Sequence, residues 1–367
     1  MDHYGFIPAA GTHKYDFMSF GEAMVRFTPP GHDRFGQAEE LQLGIAAAEL
    51  NCCVNISNLS RVLLKPTMKT AFVTKMVDAW DGDYIIKHAQ MHAVDMSNVV
   101  VQPYDKIGRN GRNGKCFIEV GIGPRPSYQG YDRGHSAVSM IKRGDIDWEK
   151  VLDTRWFHST GIVTAVGEHT VEVVGDALKA AKKNGAVTSY DLNYRHTLWS
   201  QDAAKAAMVE LMPYIDVIIG NEEDFETMLG IKADNTDANY SKIDPNCYRA
   251  VAEKVMEKYP NVKVVGNSLR EVKSALLNNW QTVMMTQNGY FVSRKYYDIE
   301  IYDRVGGGDS FASGLIWNLL NDKDEQEAID FAAAYSALCH TIRNDWDLVT
   351  TEEAYDVMKG GSARVKR

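Results

Sequence analysis

Cysteine is scarce, five in 367 residues. No C-x-x-C spacing occurs, so reduced core thiols are expected rather than a disulfide framework or a zinc site. The ten histidines show no H-E-x-x-H or similar ligand spacing. Positive charge is in deficit, 40 Lys and Arg against 49 Asp and Glu for a net −9. That balance argues against a nucleic-acid partner or an anionic membrane surface. No apolar run approaches a membrane span, and the first residues lack a signal-peptide pattern. A cytoplasmic globular protein is expected. The acidic balance has a corollary: an anionic small substrate would need arginines placed locally.

What is present is a glycine cluster, Asp303-Arg304-Val305-Gly306-Gly307-Gly308-Asp309-Ser310-Phe311. The β-forming alternation of residues 296–301 precedes it. Phe311, Leu315, Ile316, Leu319 and Leu320 follow at helical spacing. Three glycines thus sit where a strand hands over to a helix N-terminus. There unpaired N–H groups and a positive dipole end can hold an anion. The segment is neither a Walker loop nor Gly-x-Gly-x-x-Gly. Asp309 is a carboxylate beside that anion site, the pairing that phosphoryl transfer to a hydroxyl requires. The plainer reading is a glycine turn with Asp309 as a helix cap.

The rest of the chain supplies a frame. Residues 1–15 lack periodicity and read as a tail, as do residues 360–367. Strands and helices alternate from residue 151 onward, which implies a parallel sheet covered on both faces. Between residues 98 and 137 the pattern shifts to short alternating runs, read as antiparallel strands. With residues 25–43 they predict a small β-sheet inserted into one domain spanning 16–359.

In a parallel sheet, ligands bind beyond the carboxyl ends of the strands. Polar clusters fall at several such ends. Glu22 follows the first strand, Asp191-Leu192-Asn193-Tyr194-Arg195 another, and Asn221-Glu222-Glu223-Asp224 a third. Any one of them could be a helix cap; their shared position is the signal. Tyr131 and Arg133 lie two apart on an expected strand and so face one side. That face offers a ring to stack and a guanidinium to pair with a carboxylate.

The glycine segment resembles the C-terminal signature of the ribokinase-like (PfkB) sugar kinases, Asp-Thr-x-Gly-Ala-Gly-Asp-x-Phe. Arg304-Val305 is similar to the 2-keto-3-deoxygluconate kinase branch. The resemblance implies an α/β, three-layer fold with a mostly parallel central sheet and a small β-sheet lid. It implies Asp309 as base and Gly306, Gly307 and Gly308 as anion hole. Ala47, Asn51, Tyr131, Arg133, Arg195 and Asp345 would bind the sugar. Asn193, Asn221, Ser268 and Arg270, with Gly306 and Gly308, would bind the nucleotide, and Asn279-Trp280 resembles part of the same nucleotide-side segment as Ser268 and Arg270. Asp224 stands where the family carries Glu and would organise Mg²⁺ through water. ATP and Mg²⁺ are the implied cofactors, a monovalent cation is permitted, and a homodimer through the lid is compatible.

One departure stands out. The family motif Gly-Gly-Ala-Glu-Ala-Asn reads Ala46-Ala47-Ala48-Glu49-Leu50-Asn51 here. If that turn needs φ > 0, each alanine costs roughly 1–2 kcal/mol. The leading expectation is a kinase for 2-keto-3-deoxygluconate. A neutral-sugar kinase such as a fructokinase and a sugar-binding protein with little catalysis are the alternatives.

Overall fold

A computed structural model describes residues 3–62, 65–221, 223–233 and 244–361. The central sheet runs, edge to edge, through Gly289–Val292, Leu277–Thr286, Val264–Ser274, Val217–Gly220, Val187–Asp191, Trp156–Thr160, Phe17–Phe20, Thr70–Val73 and Val94–Asp95. From Val264–Ser274 to Val94–Asp95 every pairing is parallel. Strand side chains alternate between faces, and here both faces are apolar. Phe17 and Phe72 enter a core beneath helices Ala48–Leu59, Gly307–Leu320 and Glu325–Cys339. Met18, Phe20, Ala71 and Val73 enter the opposite core, under Thr170–Lys183, Gln201–Leu211 and Pro245–Lys258. These are the three layers that the alternation predicts.

The far edge is antiparallel. Val264–Ser274 folds back as Leu277–Thr286, which pairs with both Gly289–Val292 and Tyr296–Glu300. Of Val264–Ser274 only the start, within 262–265, was expected as strand, because 270–274 hold a single apolar residue, Val272, and carry no apolar run.

The lid is a four-stranded sheet in the order Tyr128–Asp132, Lys115–Glu119, Met24–Thr28 and Gln42–Ala46. Lys115–Glu119 and Tyr128–Asp132 pair antiparallel, as expected, while the central pair, Lys115–Glu119 with Met24–Thr28, is parallel, with Cys116 beside Arg26. Val100–Pro103 does not belong to it. That strand pairs in parallel with Lys75–Asp78 as a separate ribbon. Alternation marks a strand but not its partner, so this assignment was beyond the sequence.

Residues 3–15 are not a loose tail. Tyr4, Ile7 and Tyr15 are buried, and the Tyr4 hydroxyl donates to the Lys323 carbonyl at 2.6 Å. The anchors are irregularly spaced, so periodicity misses them. The C-terminal tail expected at 360–367 lies, beyond residue 361, outside the described residues. Among the described residues no helix is long and apolar enough to cross a membrane.

Candidate active site

The glycine segment enters its helix through a left-handed residue. Gly306 has φ 90°, and a Cβ there would lie 2.7 Å from the Asp345 carbonyl oxygen. Both features require glycine. A Cβ on Gly307 would lie 2.8 Å from the His340 ring, whereas one on Gly308 would meet nothing within 4 Å. Gly308 faces the open cavity. The first N–H groups of helix Gly307–Leu320 have no intrahelical acceptor, and they carry the positive end of its dipole.

Asp309 stands in the first turn of that helix. Asn51 Nδ2 donates to its Oδ2 at 2.7 Å, which fixes the carboxylate's orientation. Burial raises the Asp309 pKa to about 7; Asn51 and Arg195 oppose that rise and Asp345 assists it. A carboxyl poised there can act as a general base near neutrality. The N-cap residue of this helix is Gly306, which has no side chain to cap it.

The lid and the sheet edge close one cavity around Asp309. Ala47, Asn51, Tyr131, Arg133 and Asp345 line it, as do Asn193, Arg195, Asn221, Asp224, Ser268 and Arg270, with Gly306, Gly307 and Gly308. Trp280 lines it too. Asn279 points away, donating to Glu271 Oε2 at 2.7 Å. Glu222 lies outside the described residues.

Several side chains are already engaged. The Arg133 guanidinium sits 4.0 Å from the Tyr131 ring centroid and its Nε is 3.5 Å from Glu22 Oε2. Glu22, buried, also accepts the Ser136 hydroxyl at 2.6 Å. Asp345 is no exposed loop carboxylate. It is 2 % exposed and bonded to Arg26 Nη1 at 2.6 Å, and burial raises its pKa to about 6. Arg26 also meets Asp303 Oδ2 at 2.5 Å. Arg26 and the cavity-lining Gln129 were not singled out from the sequence, and Asp303, though part of the glycine segment, was given no role. An arginine on a lid strand looks like a solvated charge, and only the fold turns it inward.

The alanine departure proves unstrained. Ala47 has φ −168°, and neither Ala46 nor Ala47 is among the positive-φ residues. The expected penalty is therefore absent. Ala46→Gly with Ala47→Gly is expected to leave sugar KM and kcat within about twofold of wild type. Stability should fall by roughly 0.5–1 kcal/mol per glycine, from backbone entropy. Steady-state kinetics and urea titration of the double variant check both. Glycine is instead required at Gly21, where a Cβ would lie 2.0 Å from Glu49 Oε2. Glu49 is a buried strut that accepts the Thr160 hydroxyl at 2.6 Å, and burial raises its pKa to about 8.

Three carboxylates lie along this edge with Arg195 as a cationic neighbour. Burial, with Asp224 and Asp309, holds Asp191 well above the usual carboxylate range. Asp224 Oδ1 accepts the Tyr194 N–H at 3.1 Å and Oδ2 the Asn221 N–H at 3.0 Å. Among the described residues no group of three His, Cys, Asp or Glu side chains could cage a metal. Hard oxygen donors without a cage fit Mg²⁺, which keeps several waters and takes one or two carboxylates plus phosphates.

The comparisons with known proteins bear on what this cavity belongs to. The model of the pfkB family carbohydrate kinases matches residues 14–345. A 2-dehydro-3-deoxygalactonokinase from Haloferax volcanii is 28% identical over 352 residues, covering 96% of this chain and 99% of its own. A 5-dehydro-2-deoxygluconokinase from Clostridium perfringens is 24% identical over 331 residues, covering 89% and 87%. The crystal structure of 2-dehydro-3-deoxygluconokinase from Thermotoga maritima is 37% identical with a TM-score of 0.86. It covers 94% of this chain and all of the other. The three layers and lid are the ribokinase-like fold, and the chain belongs to the pfkB family of carbohydrate kinases, phosphotransferases acting on a sugar hydroxyl.

Proposed function

We propose that this kinase transfers the γ-phosphoryl group of ATP to the primary hydroxyl of a keto-deoxy sugar acid. 2-Keto-3-deoxygluconate, giving its 6-phosphate, is the leading substrate. The observation that carries the reading is Asp309, held by Asn51 at the mouth of the Gly-rich helix, in one cavity with the Tyr131–Arg133 pair. The names of the three relatives support the substrate class, since each specifies a keto-deoxy sugar acid.

The sugar binds under the lid with its carboxylate toward Arg133 or Arg195 and its ring beside Tyr131. Asn51 and Asp345 orient the hydroxyl end, next to Asp309. Asp309 accepts the hydroxyl proton as the oxygen attacks phosphorus. The N–H groups of Gly306 to Gly308 stabilise charge on the transferring oxygens, which grows in the transition state. Asn193, Asn221, Ser268 and Arg270 hold the nucleotide. Asp224 would hold Mg²⁺, which would neutralise phosphate charge. The lid excludes water, so ATP is not hydrolysed instead.

ADP release measured with 2-keto-3-deoxygluconate, its galacto epimer, 5-keto-2-deoxygluconate and fructose tests the reading. A keto-deoxy acid is expected to give the highest kcat/KM. Preference for fructose would replace the acid reading with that of a neutral-sugar kinase. No sugar-dependent ADP from any of the four would overturn the substrate reading.

A further inference from the structure

We propose that Arg26 is a positioning residue for phosphoryl transfer: a guanidinium on the lid sheet that cross-links Asp303 and Asp345 behind the cavity and so fixes the Gly-rich turn and the base relative to the lid. The proposal rests on the kinase reading above, though not on which sugar is phosphorylated.

Arg26 is 1 % exposed and does not line the substrate cavity. Its strand, Met24–Thr28, is interior to the lid sheet, paired on both sides. All three guanidinium nitrogens are bonded: Nη1 to Asp345 at 2.6 Å, Nη2 to Asp303 at 2.5 Å and Nε to Thr28 Oγ1 at 3.0 Å. Each carboxylate then leads to the reaction centre. Asp303 Oδ1 accepts the Val305 N–H at 3.1 Å, at the entry to the glycine turn. Its Oδ2 accepts the Asn344 N–H at 3.3 Å, one residue before Asp345. The Asp345 main chain lies against Gly306, its carboxylate lies near enough to Asn51 to be stabilised by it, and Asn51 holds Asp309. A rigid planar fork suits such a bridge, and a flexible ammonium does not. Two buried carboxylates left without that cation would repel and let the turn relax.

A second cavity of about 520 Å³ opens behind the triad, lined by Arg26 and Asp303 with Thr28, His32, Tyr302 and Arg343. It gives a small cation access to Asp303 once the Arg26 side chain is removed.

Arg26→Ala, Arg26→Lys and Thr28→Val are compared with wild type on whichever sugar the wild type phosphorylates. Lack of activity on acids would thus count against the substrate reading and not against Arg26. For Arg26→Ala, kcat per folded molecule is expected to fall about 30–300-fold, with KM for ATP and sugar within about threefold, since misplaced groups act on the transition state. ADP released per sugar phosphorylated should rise above one as the lid seals less well. Low, non-denaturing guanidinium ion should restore about tenfold of the lost kcat to Arg26→Ala and none to wild type. Arg26→Lys should fall between the two. Thr28→Val, which keeps both ion pairs, should lose about threefold in kcat. A loss confined to the folded fraction, with kcat per folded molecule and coupling unchanged, would overturn the proposal. Should Arg26→Ala not fold, unchanged kcat and coupling in both Arg26→Lys and Thr28→Val would overturn it equally.

Discussion

Replacing Asp309 by Asn is expected to lower kcat by about 10²–10⁴, the usual worth of a general base, with nucleotide affinity close to wild type. Asn keeps the shape and can still meet Asn51 through its carbonyl oxygen, so the helix mouth is preserved. What it cannot do is take a proton. The pH profile supplies an independent check. Burial raises the Asp309 pKa to about 7, so the free enzyme holds the carboxyl protonated below that pH and ionised above it. A base works only when ionised. Wild-type kcat/KM should therefore climb through an acidic limb near pH 7 and level off above it. In Asp309→Asn that limb should vanish along with most of the activity. Near-normal turnover in the variant, or a limb that survives the substitution, would remove Asp309 from the chemistry.

Much of this site was legible because a parallel sheet sends every strand's carboxyl end to one edge. Asp191, Asn193, Arg195, Asn221 and Asp224 could be grouped from their positions after strands alone, and they do line one cavity. The glycine turn was legible for a second reason, since left-handed φ and close approach leave few residue types to choose from. What stayed hidden depends on pairing and direction. Val100–Pro103 has the alternation of a lid strand yet pairs elsewhere. Arg26 is polar in a strand that could have turned it to solvent, and its partners are 277 and 319 residues away. Ala46 and Ala47 looked strained only because a backbone conformation was assumed for them. Tyr4 and Ile7 anchor an aperiodic segment whose docking surface is assembled from distant parts of the chain.

Arg133 gives the sharpest test of substrate class. Its guanidinium lies over Tyr131 and beside Glu22, so in the free enzyme a carboxylate already occupies the place a sugar acid would claim. An acid must share or take over that interaction; a neutral sugar has no use for the charge. A charged hydrogen bond is worth roughly 1.5–3 kcal/mol, so Arg133→Ala should cost about 10–200-fold in kcat/KM for an acidic substrate. Glu22, left lining the cavity without its partner, would repel the acid further. A neutral sugar of similar shape meets neither effect and should lose far less. General damage to the lid would lower both alike, which makes the ratio of the two losses the informative quantity. Adding Glu22→Gln to Arg133→Ala isolates the repulsion: activity on the acid should recover in part, and activity on the neutral sugar should stay put. The measurement is kcat/KM for 2-keto-3-deoxygluconate and for fructose in wild type, Arg133→Ala and the double variant. Equal losses on both sugars would mean that Arg133 shapes the lid without reading the substrate's charge, and the sugar-acid assignment would lose its structural support.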